Sequence, residues 1–93
     1  MIGKVDALGR ALLDLQVSPD INQEPTAITA WVDTAFNGEL VVPRSIILSA
    51  GFKQSAGCVA RLADDGETPL LGIGLLDGHR LVVDYRHREL LLE

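Results

Sequence analysis

The sequence predicts a mostly-β domain, a small closed β-barrel with one or two short helices. Short apolar segments alternate with polar and turn-forming residues, and only one segment carries the signals of a helix. A chain of 93 residues is expected to form one domain, here residues 1–93. Five to seven short strands are typical of a closed barrel or of a β-rich α+β domain, and we expect the barrel.

The first half of the chain shows strands on either side of a short loop. Residues Ala11 to Val17 read ALLDLQV, and Thr26 to Val32 read TAITAWV; both alternate apolar or β-branched residues with others, which predicts strands. Ser18-Pro19-Asp20 supplies turn chemistry between them. Residues 33–38 break the pattern with small and polar residues, and 39–42 (ELVV) resume a strand. We therefore expect a strand, a tight loop and a strand in succession.

The second half begins with a predicted helix. Pro43 is suited to a first helical position and Gly51 to the residue after a helix end, so a helix is expected from Pro43 to Ala50 with Ile46, Ile47 and Ala50 facing the core. Further along lie a strand at Cys58 to Leu62, a turn at Ala63 to Gly66, an apolar run with two glycines at Leu70 to Leu76, and a hairpin formed by Arg80 to Tyr85 and Glu89 to Glu93.

Composition restricts the function classes. The net charge is −5, and acidic residues interleave with the arginines near the C-terminus, so the basic face of a nucleic-acid-binding protein is missing. No apolar run approaches the ~18 residues that span a bilayer, and the first fifteen residues are too charged for a signal peptide. The single cysteine excludes an intramolecular disulfide, which fits a reducing compartment. We expect a cytoplasmic protein without nucleic-acid or membrane partners.

The candidate functional residue is Asp33, in the stretch Trp31 to Gly38 (WVDTAFNG). An apolar strand delivers this carboxylate into a loop of small residues, which suits a general acid or base that substrate must approach. Thr34 adds a hydroxyl that can lock the loop. On the tripeptide Asp-Thr-Ala alone, the simpler interpretation is a loop aspartate in an Asx-turn.

Two segments together resemble a known family. The segment AWVDTAFNGELVVP, and the later PLLGIGLL with its apolar-apolar-Gly element at Leu70, Leu71 and Gly72, are similar in kind and order to those of retropepsin-like (clan AA) aspartic proteases of the small prokaryotic type. The resemblance runs from about residue 11 to the end. Ala35 stands where glycine is commoner in the family. The interval between Asp33 and Leu70 is short, so the substrate-covering flap is expected to be shortened or missing.

The resemblance implies a site built by two subunits. One chain supplies one aspartate, so a C2 homodimer would pair two Asp33 carboxylates that share a proton and activate a water for peptide-bond hydrolysis. Thr34 would bridge the two loops, Ala35 would lie close to substrate, and Leu70, Leu71 and Gly72 would pack under the loop. The implied partners are a second copy and a peptide or protein substrate. Neither a metal nor an organic cofactor is needed.

Two other hypotheses for the fold and function remain. The first is a dimeric binding or structural module with the same protease-like fold that is catalytically weak or inactive. The second, an unrelated β-barrel, would place Leu70 to Gly72 far from Asp33. His79 and His87 lie in turn-like contexts without ligand spacing for zinc, and surface histidines are expected. Cys58 in its strand pattern is expected to be a small core residue.

Overall fold

The computed structural model describes residues 1–18, 22–49, 60–63 and 68–93. Within them the chain forms one sheet of eight strands and two short helices. In chain order the elements are β1 (Ile2–Val5), β2 (Ala11–Val17), β3 (Thr26–Val32), β4 (Leu40–Pro43), α1 (Arg44–Ser49), β5 (Ala60–Ala63), β6 (Leu70–Leu71), α2 (Ile73–Leu76), β7 (Leu81–Asp84) and β8 (Glu89–Leu92). The domain is mostly β, as the sequence predicts.

The sheet is open in the described part of the chain. Its spatial order is β5-β4-β6-β3-β2-β1-β8-β7, so β5 and β7 are the edge strands. The pairs β3–β6 and β4–β5 are parallel, and the other neighbours are antiparallel. Because β5 and β7 do not pair with each other, the described strands do not form the closed barrel that the sequence analysis expects.

The centre of the sheet is the β2–β3 pair, whose register runs from Leu12 opposite Trp31 to Val17 opposite Thr26. Along β3 the side chains alternate between buried and more exposed positions, because successive residues of a strand point to opposite faces. The buried set continues into β2, β6, α2 and β8, and its members are Ala11, Leu13, Ala30, Val32, Leu71, Leu76 and Leu90. This aliphatic core fixes β3, and with it the loop that follows.

Most expected elements are present, with local differences. β2 and β3 have the predicted bounds, and β7 and β8 form the predicted C-terminal hairpin. Pro43 ends β4 instead of starting the helix, which begins at Arg44. β1 is an additional strand, held between β2 and β8.

Some expectations fall where little or nothing is described. Cys58 and the turn around Asp64 to Gly66 lie outside the described residues, as do Ala50 and the side chain of Ile47; Ile46 is partly buried. The expectation of a shortened flap concerns this same interval and stays a prediction. Among the described residues, neither helix has the length and apolar character needed to cross a membrane.

Candidate functional site

Asp33 is the first residue after β3, and the backbone fixes its position. Its N–H donates a hydrogen bond to the carbonyl oxygen of Leu71 at 2.9 Å. Two residues earlier, the N–H of Trp31 donates to the carbonyl of Pro69 at 2.8 Å. These bonds belong to the parallel pairing in which Val32 lies opposite Leu71. Asp33 therefore directly follows a hydrogen-bonded strand, and the last side chain of that strand, Val32, lies in the core.

Strand β6 lies between the strand that enters the Asp33 loop and the strand that leaves it. It pairs in parallel with β3 and antiparallel with β4, where Leu40 lies opposite Leu71. The apolar-apolar-Gly element is thus directly beside the Asp33 loop. This is the arrangement that the resemblance implies for Leu70, Leu71 and Gly72.

Gly72 lets the loop pack onto the start of α2. A Cβ atom built on Gly72 would lie 2.1 Å from the carbonyl oxygen of Gly38 and 2.7 Å from that of Phe36. Both oxygens are engaged, because Gly74 N–H donates to Gly38 at 3.0 Å and Ile73 N–H donates to Phe36 at 2.9 Å. Gly72 has φ −102° and ψ 178°, an extended conformation open to any residue. The glycine is required here by space and not by its dihedral angles.

The Asp33 carboxylate is partly buried and only partly used within its own loop. Oδ1 accepts a hydrogen bond from the Ala35 N–H at 3.0 Å, and the backbone carbonyl of Asp33 accepts one from Phe36 N–H at 3.2 Å. The Asx-turn of the simpler interpretation is therefore present. Among the described residues, Oδ2 has no hydrogen-bond partner. One carboxylate oxygen thus orders the loop while the other is available to another molecule.

Thr34 and Ala35 are exposed at the tip of this loop. The Thr34 hydroxyl makes no hydrogen bond within the described part of the chain, so it does not lock the loop as expected; the backbone bonds to Leu71 and within the loop hold it instead. Thr34 lines an open groove of about 540 Å³, together with Asn37, residues of α2 and Leu81 of β7. The groove lies between the loop that follows Asp33, through Thr34 and Asn37, and the start of the C-terminal hairpin, and Asp33 is not among its lining residues.

Behind the strand, Arg10 links Trp31 to a turn that precedes β2. The Arg10 guanidinium lies 5.7 Å from the centre of the Trp31 ring, within cation–π range. Its Nε and Nη2 each lie 2.7 Å from Asp6 Oδ2, and Nη1 lies 3.3 Å from the Thr68 hydroxyl. Hydrogen bonds from the Arg10 backbone N–H and guanidinium and from Leu8 N–H, with the Arg10 charge, lower the pKa of Asp6 below 3.8. Through Arg10, these contacts connect Trp31 of β3 to Asp6 and to Thr68.

Phe36, Glu39 and Arg10 support the site, although their roles were not predicted from the sequence. Phe36 and Glu39 act through carbonyl oxygens that accept the N–H groups of Ile73 and Gly72, at 2.9 and 2.8 Å. Backbone acceptors carry no signature in the residue type. The signal that was available is the pair of glycines, Gly38 and Gly72, which both lie against the Phe36 ring.

Both histidines are exposed, and His79 lines the groove that Thr34 and Asn37 also line. His79 Nδ1 is 3.1 Å from the carbonyl oxygen of Glu93. His87 Nδ1 lies 2.7 Å from Asp84 Oδ2, and this bond raises the pKa of His87 above 6.5 and lowers that of Asp84 below 3.8. Within the described residues, no group of three His, Cys, Asp or Glu side chains could hold a metal ion.

Comparisons of the chain with protein-family models, with curated proteins and with solved structures found no match.

Proposed function

We propose that this chain is one subunit of a homodimeric aspartic-type endopeptidase in which two Asp33 residues hydrolyse a peptide bond. The observation that carries the proposal is the placement of β6 between β3 and β4, which puts the Leu71 carbonyl on the Asp33 N–H and leaves Oδ2 of Asp33 without a partner among the described residues. The same placement supports assigning the sheet to the retropepsin-like fold.

A single loop supplies half of the site. Two carboxylates brought together by a twofold axis cannot both be ionised at low cost, so they hold one proton between them. The ionised Asp33 takes a proton from the attacking water, while the protonated Asp33 gives its proton to the oxygen of the scissile carbonyl.

The other loop residues have positioning roles in this proposal. The Thr34 hydroxyl, which has no hydrogen-bond partner among the described residues, is available to bond to the second subunit's loop. Ala35 and the groove beside Thr34 face the solvent, where an extended peptide or a second subunit can approach. The Asx-turn bond from Ala35 N–H keeps Oδ1 fixed and so sets the direction of Oδ2.

The alternative is a dimeric binding module with the same loop and no turnover. It is favoured by the Asx-turn, which gives Asp33 a structural role that needs no chemistry. The two functions differ in whether the charge of Asp33, as distinct from its hydrogen-bonding geometry, is required.

Asp33→Asn separates them, because asparagine keeps an oxygen that can accept the Ala35 N–H while it removes the ionisable group. We expect wild-type protein to cleave an unfolded protein or a mixed peptide library between about pH 4 and 7, the mildly acidic range that begins at the ordinary carboxyl pKa values. Asp33→Asn should lose cleavage and keep its fold. Asp14→Asn, which changes an exposed carboxylate that bonds to Thr29, is the matched control and should stay active.

Cleavage that persists in a clean Asp33→Asn preparation would overturn the peptidase assignment. If the wild type forms dimers in the absence of substrate and cleaves none of the substrates, the result would favour the binding module.

A further inference from the structure

In the described part of the chain, strand β7 has a hydrogen-bonding edge that pairs with no other strand. Arg80 and Glu93 exchange two backbone hydrogen bonds, of 3.1 and 2.9 Å. Hydrogen-bonded and non-hydrogen-bonded pairs alternate along an antiparallel ladder, so the bonded pairs continue at Val82 with Leu91 and at Asp84 with Glu89. The N–H and C=O groups of Leu81 and Val83 therefore point away from β8, and within the described residues β7 has no strand on that side.

The residues of this edge are complementary to themselves. If a second β7 pairs antiparallel with its centre at Val82, Leu81 of each copy lies opposite Val83 of the other and exchanges two backbone hydrogen bonds with it. Arg80 then lies opposite Asp84, once on each side of the twofold axis. On the core face, Leu81 and Val83 are both partly buried apolar residues. On the other face, Val82 of one copy lies opposite Val82 of the second copy, and an Arg80–Asp84 pair lies on each side of them.

The charged groups are able to make these pairs. The Arg80 side chain is 74% exposed, and the ion pair that it makes with Glu93 within the described part of its own chain is long at 3.8 Å. The Asp84 side chain is 40% exposed and accepts hydrogen bonds from the N–H groups of Arg86 and His87 and from the His87 ring. A carboxylate has about four acceptor positions, so one remains for a guanidinium.

We propose that two copies of this chain associate by antiparallel pairing of their β7 edges, in the register centred on Val82 with Arg80 opposite Asp84. The pairing joins the two sheets into one and covers edge groups that would otherwise attract other strands. Leu81 and Thr34 line the same groove, so the strand that receives the second copy borders the groove that the Asp33 loop also borders. The interface deepens the proposed function, which needs a dimer, although the edge pairing is argued without it.

The test is a charge exchange. Arg80→Glu places two acidic pairs in the homodimer, and Asp84→Lys places two basic pairs, so each variant alone should dimerise at least about tenfold more weakly, or about 1.4 kcal/mol. In the heterodimer that forms from an equal mixture, the unchanged Arg80 of one chain lies opposite the unchanged Asp84 of the other, and the introduced glutamate lies opposite the introduced lysine. Both pairs are of opposite charge, so the mixture should dimerise again. Sedimentation at low salt gives the dissociation constants. Glu93→Gln, which removes only the intrachain partner of Arg80, is the control and should dimerise like the wild type.

Backbone amide exchange in the wild type gives a second readout that needs no variant to fold. The Leu81 and Val83 amides should exchange more slowly as the protein concentration rises through the dimerisation range. The Val82 amide, already bonded to Leu91, should not respond.

A wild type that stays monomeric, single variants that dimerise as well as the wild type, or exchange at Leu81 and Val83 that ignores concentration would each overturn the interface. A mixture that stays monomeric although both variants are folded would overturn the register. Cleavage by Asp33 is judged separately. A dimer that forms through β7 but does not cleave peptides supports the interface and refutes the peptidase. Cleavage by a dimer that forms through another surface supports the peptidase and refutes the interface.

Discussion

Gly72→Ala should destabilise the protein strongly, although the substitution adds only one methyl group. The new methyl group would meet the carbonyl oxygens of Gly38 and Phe36 at 2.1 and 2.7 Å, inside any real contact. To relieve the clash, the loop must move away from α2 and weaken the bonds from Gly74 and Ile73 to those oxygens. Overpacking costs about 1–3 kcal/mol and each of the two weakened bonds about 0.5–1.5 kcal/mol, which gives a total of about 2–6 kcal/mol.

Urea unfolding followed by the fluorescence of Trp31, the only tryptophan, measures this cost. With a slope of about 2 kcal/mol per molar urea, the midpoint should fall by about 1–3 M. Gly9→Ala is the control: Gly9 has φ +82° and open space around its Cβ position, so only backbone strain of about 1–2 kcal/mol is expected. If Gly72→Ala costs no more than Gly9→Ala, the steric account of the loop support is refuted.

Two further predictions concern pH. The carboxylate of Asp84 raises the folded pKa of His87 above 6.5, so this pair stabilises the hairpin below that pH and the contribution is lost as the pH rises through the folded pKa. In an NMR titration, Asp84→Asn should bring the His87 midpoint back toward 6.5, and an unchanged midpoint would contradict the assignment. Asp6 has a pKa lowered below 3.8, mainly by hydrogen bonds from Arg10, so its contribution is present above pH 3.8 and is lost as the pH falls through the lowered value. Asp6→Asn should therefore unfold more easily than the wild type at neutral pH, the difference shrinking in acid; a difference independent of pH would show that the Asp6 charge is unimportant.

The segments that were predicted accurately are those whose pattern is local. β3 alternates buried Ile28, Ala30 and Val32 with more exposed neighbours, and this period of two is visible in the sequence before any partner strand is known. The hairpin of β7 and β8 is likewise local, because its two strands are separated by a short turn. Helix α1 is offset by one residue at its start, since Pro43 suits the end of a strand as well as the start of a helix.

The segment that was missed depends on a distant partner. β1 contains Gly3, a poor strand residue, and it is held by Leu90 and Leu91 from the other end of the chain. A Cβ on Gly3 would lie 2.2 Å from the Leu12 carbonyl oxygen, so the glycine serves a close approach that no local pattern reveals. The closed barrel was expected from the number of strands, but the number of strands does not determine whether the edges meet.

For the candidate site, the sequence by itself singled out Asp33 after an apolar strand and the Leu70-Leu71-Gly72 element, because both depend on residue types at fixed spacing. Only the tertiary structure decided that the two lie together, since the parallel pairing of β3 with β6 joins segments almost forty residues apart through backbone groups that every residue type shares. The structure alone also assigned the two oxygens of Asp33, one to the Ala35 N–H and one without a partner among the described residues. Hydrogen-bond geometry of that kind follows from packing, which sequence spacing does not encode.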